Sequence, residues 1–399
     1  MVRPMSHGTL LLTGRGRLLT PRPYDAPGPW AVLVRAGLFA WVGPLTDAPP
    51  ADSTIDLGTA LVTPGLVDAH THPAFAGDRS DEAAARLEGA AYSGGGILRT
   101  VAATRAASDD QLRALLAARL GASLASGVTT VECKSGYGLS TNEELRALRL
   151  IGEVADTLPV RVVRTFLGAH AVPPEAASSA EYAALVADEM IPAVAAAGLA
   201  DFCDVFCDRG FFSPADAERI LRAAAAAGLG IRMHADQLAR TGATELAVRL
   251  GAVSADHLEQ LDDAGVATLA ASRTVATLLP GPALVMRDRM PPARALLDAG
   301  VTVALASDAN AGTFGAWGAM PLVIGLGATL LGMTVADAVG AATAGGAAAL
   351  GLTGRRGVIA EGADADLVAW DAEHEGAFAL YLGAARPSRT WIGGREVSG

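Results

Sequence analysis

Short apolar runs recur along the chain from about residue 60 to residue 307: LVTPGLVD (61–68), VTTVEC (128–133), RVVRTFLG (161–168), DFCDVF (201–206), GIRMHA (230–235), AVSADH (252–257), TVATLLP (274–280) and VTVALAS (301–307). Most are rich in Val, Ile, Leu or Thr and apolar throughout, the signature of strands buried on both faces. Between them, stretches such as DQLRALLAARLGASLAS, EELRALRLIGEVADTL and PADAERILRAAAAAG carry Ala, Leu, Arg and Glu with helical period. Strand and helix alternating eight times predict an α/β fold, a (β/α)8 TIM-like barrel. The chain ends read differently. TLLLTG, WAVLVRAGLFAWVG and TIDL before Pro64, and RGVIAEGADADLVAWD and RTWIGGREV within 356–397, alternate apolar and polar residues, as half-buried strands do. Neither end is long enough for a β domain of its own. The economical prediction is one small β-sandwich domain from residues 1–63 and 353–399, with the barrel, residues 64–352, inserted between them.

Composition narrows the function more than the fold. The 399 residues are 51% hydrophobic and 18% charged, which supplies a large core and argues against disorder. Asp and Glu outnumber Lys and Arg by 42 to 31, a net charge of -11, which argues against nucleic acid and anionic membranes as partners. A local Arg can still hold an anionic small molecule. Cys133, Cys203 and Cys207 are too few for a disulfide framework, and DFCDVFCD reads as a buried strand with ordinary thiols. MVRPMSHGTLLLTGRG lacks the apolar stretch of a signal peptide, so a reducing cytoplasm is the expected setting. Met320 to Leu352 holds Asp337 as its single ionisable group. Its length would allow a membrane span, but its Gly and Ala content and the helix start in GMTVADA predict two helices buried against the barrel. The apolar, Ala-rich helices also suggest a homodimer.

The candidate chemistry lies at the strand ends, where parallel barrels build their active sites. Five of the seven histidines, His70, His72, His170, His234 and His257, follow an apolar run, and Asp308 follows VTVALAS. His70 and His72 face the same side of an extended segment. With His234 from the fifth strand and Asp308 from the eighth they offer three nitrogens and one oxygen to a metal and leave room for a water, whose pKa the metal lowers toward neutrality. A second metal would need a bridging carboxylate, often a carboxylated Lys, at the fourth strand; DFCDVFCD has neither Lys nor Glu, and Lys134 follows the second strand. One divalent ion per chain is therefore expected, Zn2+ or Fe2+, since both accept this donor set. His257 is either a fifth ligand or the residue that positions or deprotonates the water. His170 remains for substrate.

PGLVDAHTH, the strand-five and strand-six histidines and SDAN resemble the amidohydrolase superfamily. PGLVDAHTHPAFAGDR (64–79), SGGGILRTVAATRAAS (93–108), TTVECKSGYGL (129–139), TFLGAHAVPPE (165–175), MHADQL (233–238) and SADHLE (254–259) are similar, in order, to the imidazolonepropionase family of histidine degradation. The HxH element is generic to the superfamily; SGYGL, GAHAVPPE and HADQ are more specific. The resemblance implies a barrel of the amidohydrolase type and hydrolysis of 4-imidazolone-5-propanoate, a small cyclic amide with a carboxylate tail, to N-formimidoyl-L-glutamate. Arg79 suits a bidentate pair with that carboxylate. Tyr137 stands between glycines that allow close backbone approach and suits a substrate contact. Gln237, where some members carry Glu, cannot act as a proton-transfer base, so its implied part in catalysis and binding is hydrogen bonding to the ring nitrogens. Asp236 is a lesser contributor. Asn310, Gly312 and Thr313 match positions that touch substrate or product. There the chain departs from the family: SDANAGT stands where TD, one residue, then NPGS or NPGT is usual, and Ala311 in place of Pro loosens the loop. In the implied mechanism Asp308 carries a proton to the leaving nitrogen and His257 steadies the developing charge.

The strand-end histidines would suit a deaminase of a cytosine- or guanine-like ring, or another cyclic-amide hydrolase, equally well; Arg79, SGYGL and GAHAVPP argue against both. A metal-free binding barrel would leave a complete ligand set without a role. A phosphate-binding barrel needs a glycine-rich cradle, and SGGGI has no partner Lys.

Overall fold

The structure is a computed structural model that describes residues 8–20, 28–89 and 95–397. Residues 1–7 of the N-terminal stretch, and Ser93 and Gly94 of the SGGGI run, lie outside these. The N-terminal strands β1 (Leu10–Gly14), β2 (Trp30–Arg35), β3 (Leu38–Pro44) and β4 (Ser53–Asp56) form one sheet, in the order β3-β2-β1-β4. Strand β5 (Val62–Pro64) is followed after Gly65 by β6 (Leu66–Asp68), β7 (Val128–Lys134), β8 (Arg161–Ala169), β9 (Phe202–Cys207), β10 (Gly230–Ala235), β11 (Ser254–His257), β12 (Val275–Leu278) and β13 (Val303–Leu305). The C-terminal part supplies β14 (Leu367–Trp370), β15 (Pro387–Ile392) and β16 (Arg395–Val397), which form a second four-stranded sheet in the order β16-β15-β14-β5. The two small sheets share a core that includes Leu12, Trp30, Phe39, Val62, Leu367 and Trp391. Apolar residues alternating along strands from both chain ends are what gives these sheets one buried face.

Strands β6 to β13 form one eight-stranded parallel sheet in chain order. Every residue of β7 and β9 is buried, and the charged ones among them, Glu132, Lys134 and Asp204, pair inside the barrel. The sheet closes between β13 and β6. Ser307 N–H and Oγ–H donate to the Asp68 carboxylate at 2.9 and 2.6 Å, and just beyond, Asp308 N–H donates to the His70 carbonyl at 3.0 Å and His72 N–H to that of Ala309 at 2.9 Å. All eight apolar runs are therefore barrel strands, with one difference. The 61–68 run is two strands in two sheets, parted at Gly65, where a Cβ would run into the side chain of Thr129 on β7. Helices cover the outside. The Asp109–Ala125 helix starts at a reciprocal capping box between Ser108 and Gln111 and buries Leu112, Leu116, Leu120 and Leu124, one per turn. The apolar 320–352 segment folds as the Met320–Leu330 helix and a second helical stretch from Val335 to Ala349. Among the described residues no helix is long and apolar enough to cross a membrane.

Candidate metal centre

The C-terminal ends of the barrel strands bring five histidines and Asp308 to one buried point. His70 Nε2 lies 3.2 Å from His72 Nε2 and 3.1 Å from His234 Nε2. Asp308 Oδ1 lies 3.3 Å from His72 Nε2 and 3.7 Å from His70 Nε2. The far nitrogens explain the inward aim of the near ones. Asp256 Oδ2 is hydrogen-bonded to His70 Nδ1 at 2.7 Å, and Asp204 Oδ2 is 2.9 Å from His234 Nδ1, close enough for an ion pair but off the line of a hydrogen bond. A carboxylate in that position holds the proton on Nδ1 and leaves Nε2 its lone pair. His72 Nδ1 has no hydrogen-bond partner among the described residues; its ring stacks on His170 at 5.2 Å and 25°. Imidazole lone pairs this close repel each other unless a cation lies between them. Two nitrogens bound to one tetrahedral ion, each about 2.0–2.1 Å from it, are about 3.3 Å apart, so the spacings of His70 to His72 and to His234 are those of a cation site, and two groups of donors meet at His70: His70, His72 and Asp308, and His70, His234 and His257.

The charges around this point are ordered. Burial, then Lys134 and the neighbouring imidazoles, pushes His70 well below the usual histidine pKa. Burial would raise Asp308, but His72, His257 and His234 outweigh it and hold its carboxyl below the usual range. Burial would raise Asp204 too, and His234 and Lys134 hold it well below. His257 runs the other way. Burial lowers it, yet Glu259, 3.3 Å from Nδ1, together with Asp308 and Asp256, leaves it raised. Its Nε2 lies 4.0 Å from Asp308 Oδ2. Positive φ values at His257 (84°), Leu258 (68°) and Asp308 (48°) mark where the chain turns out of the barrel wall; for non-glycine residues such backbone costs on the order of 1–3 kcal/mol each and collects at functional sites.

A small cavity opens beside the histidines, lined by His72, Arg79, Ile97, Tyr137, His170, Phe206, His234, Gln237, His257, Asp308, Asn310 and Thr313. His170 Nδ1 donates to the Gly136 carbonyl at 2.9 Å, which leaves Nε2 as an acceptor. Tyr137 stands edge-on to His170 at 5.1 Å and to His72 at 6.2 Å. The Gln237 and Leu238 amides are fixed by Asp208 at 2.9 and 2.8 Å. Arg79 reaches the cavity with its fork in use: Nε and Nη2 donate to Glu82 at 2.9 and 2.7 Å. Asn310 uses its amide inside its own loop. Its Oδ1 accepts from the Gly312 and Thr313 amides at 2.7 and 2.8 Å, and its Nδ2 donates to the Asp308 carbonyl and Thr313 Oγ1 at 2.6 and 2.7 Å. Gly312 packs against the Arg79 guanidinium. Asp236 is bound by Arg240, Thr241 and Thr244 and holds a loop instead of the cavity. The sequence reading did not single out Asp204, Asp256, Glu259, Ile97 or Phe206. For the three acids a signal existed, since a carboxylate in or beside an otherwise apolar buried strand needs a partner; nothing in the sequence separates Ile97 and Phe206 from core residues.

A parallel barrel with histidines and an aspartate gathered at the C-terminal ends of its strands offers a divalent ion a site for hydrolytic chemistry. A profile of the amidohydrolase family matches residues 79–398. The chain is 44% identical over 384 residues to the imidazolonepropionase of Pseudomonas putida (strain GB-1), covering 94% of this chain and 96% of that protein. It is 47% identical over 367 residues to the imidazolonepropionase of Caulobacter vibrioides (strain NA1000 / CB15N), covering 90% and 91%. Among solved structures it is similar to an adenosine deaminase from Xanthomonas campestris with bound zinc (TM-score 0.72, 22% identity, 97% of this chain and 92% of that one) and to a 5-methylcytosine deaminase from Klebsiella pneumoniae (TM-score 0.75, 18% identity, 98% of each); at these identities they share the fold. The chain belongs to the amidohydrolases and, within them, to the imidazolonepropionase family, hydrolases of a cyclic-amide C–N bond.

Proposed function

We propose that the protein hydrolyses 4-imidazolone-5-propanoate to N-formimidoyl-L-glutamate, in the cytoplasm, with one Zn2+ or Fe2+ held by His70, His72, His234 and Asp308. The observation that carries the reading is that one cavity holds the metal donors, a hydrogen-bonding rim and the Arg79 guanidinium, which suits a small ring with a carboxylate tail. The three cysteines, all free and buried, suit a reducing compartment. A bound divalent ion supplies Lewis acidity and a water of near-neutral pKa. His257 has its carboxylate partner Glu259 3.3 Å from Nδ1 and a raised pKa, which suits a cationic donor, and it also stands close enough to His70 and His234 to share an ion with them. Its Nε2–H steadies the ring carbonyl oxygen as negative charge grows there. Asp308 takes the proton of the attacking water and delivers it to the leaving ring nitrogen as the C–N bond breaks. Arg79 holds the propanoate, His170 and Gln237 hold the ring nitrogens, and Tyr137 covers the ring.

The test is a spectrophotometric assay of purified, metal-analysed protein with freshly generated 4-imidazolone-5-propanoate, run beside a no-enzyme control. Accelerated loss with formimidoyl-glutamate appearing is the expected result. No acceleration from protein carrying one metal per chain would end the substrate assignment, and ammonia release from nucleobase-like rings would then identify a deaminase.

A further inference from the structure

Lys134 is the single lysine in the chain; the other 30 of its 31 basic residues are arginine. It closes strand β7, and its side chain is fully buried. Its ammonium sits between two carboxylates, 2.7 Å from Glu132 Oε1 and 2.8 Å from Asp204 Oδ2. Each of these leads to the metal cluster. Asp204 Oδ2 faces His234 Nδ1, and Asp204 Oδ1 accepts from the His234 amide at 3.1 Å. Glu132 Oε2 accepts from the Thr71 amide at 3.1 Å, and its carbonyl accepts from Thr71 Oγ1 at 2.5 Å; Thr71 is the residue between His70 and His72. Arg232 is placed in parallel, 2.9 Å from Asp256 Oδ2, behind His70, and 3.8 Å from Glu132 Oε1. The dry slot between two carboxylates suits a compact ammonium with rotatable donors and not the wide planar fork of arginine, which accounts for a lysine here in a chain that otherwise uses arginine.

We infer that Lys134 is a positioning residue of the metal centre: it locks Asp204 behind His234 and Glu132 behind the His70–His72 backbone, and so fixes three ligands while touching neither metal nor substrate. His70 and His72 follow β6 and His234 lies on β10, which are not neighbours in the sheet; the ammonium, between Glu132 on β7 and Asp204 on β9, ties the two sides through a single centre. Second-layer contacts of this kind commonly change metal affinity by roughly 10- to 100-fold.

A single lysine makes the test direct. Full-length protein labelled with 15N at lysine gives one side-chain ammonium signal. The expected signal exchanges slowly with solvent and shifts when zinc is added to the metal-free protein. A signal that exchanges rapidly, or that zinc leaves unmoved, overturns the inference. Lys134→Met, nearly the same in shape, is expected to weaken zinc binding by roughly 10- to 100-fold in competition with a chromophoric chelator and to alter the visible spectrum of the cobalt-substituted protein, a readout that reports ligand geometry and not fold. Parental affinity and an unchanged cobalt spectrum in that variant also overturn it; if the variant does not fold, the lysine signal of the unaltered protein decides. The inference rests on the metal reading, and the two fail separately, because unaltered protein that binds no zinc would end the metal reading itself.

Discussion

At the scale of single residues, the cavity is arranged around one guanidinium. Arg79 lies between Gly96 and Gly312, and a Cβ at either position would collide with it. Its Nε–Nη2 edge already holds Glu82, and Arg86 braces the same group, 3.0 Å from Glu82 Oε1 while donating to the Gly312 carbonyl at 2.7 Å. Arg79→Met removes the anchor for the propanoate, so KM is expected to rise with kcat little changed, and an unchanged KM would remove that role. Gly312→Ala forces the guanidinium aside without removing it. It should raise KM in the same direction by steady-state kinetics, and a Gly312→Ala enzyme with parental KM would show that Arg79 is free to move without loss. Asp308→Ala is the opposite case. In the proposed mechanism it removes a metal donor and the proton carrier together, so turnover should be abolished even at saturating substrate; an active, metal-loaded variant would show that neither task depends on this carboxylate.

At the scale of elements, helix caps and helix–helix ion pairs fix the barrel's outer layer. Ser108 Oγ accepts from the Gln111 amide while Gln111 returns a bond to the Ser108 amide. Ser108→Ala should cost about 1 kcal/mol in denaturant unfolding, with no effect on metal content. One residue further on, Asp109 accepts from Arg149 at 2.7 Å and Arg146 at 2.6 Å, both on the Thr141–Ala155 helix. These bonds hold its carboxyl down at about 2. The folded value lies below the unfolded one of about 3.9, so the contribution is complete above that pH and is lost as pH falls through about 2. Asp109→Asn should therefore lower Tm at pH 7, and the gap between variant and parent should close between about pH 4 and pH 2. Elements like these were legible in the sequence, because an apolar run eight residues long or a leucine every fourth position has one cheap solution. The residues that meet at the cluster were legible for the same reason, each standing at the end of such a run. What the pattern could not show was pairing between strands: Asp256 with His70, Asp204 with His234 and Lys134 with Asp204 join residues far apart in the chain. Nor could it show Arg79 with Glu82, since an (i, i+3) pair reads as an exposed helix face.

At the scale of the whole molecule, the proposed metal donors straddle the place where the barrel closes. Strands β6 and β13 are three residues each, and between them the closure rests on Asp68 with Ser307 and on the amides of His72 and Asp308. His70 and His72 follow β6, Asp308 follows β13, and His234 comes from β10 on the far wall. Strand β6 is also tied to the small sheets, since β5 ends at Pro64 and the Gly65 amide donates to the Asp366 carbonyl at 3.0 Å. One side of the closure is thus anchored by both chain ends, and outside it the 341–349 stretch packs on both strands, with Gly345 against Val303 and Gly346 against Val67. An ion bound by residues from both sides acts as a clasp across it. Because it binds the folded chain and not the unfolded one, its removal should cost about 4 kcal/mol if it is normally present at a thousand times its Kd, seen as a fall in Tm on chelation that added zinc reverses. The loss should also be local before it is global. In hydrogen exchange of the metal-free protein, the amides of residues 70–72 and 307–310 should quicken first, while the capped Asp109–Ala125 helix keeps its protection. Equal quickening throughout, or none at the closure, would mean that the barrel holds itself shut and that the ion serves chemistry alone.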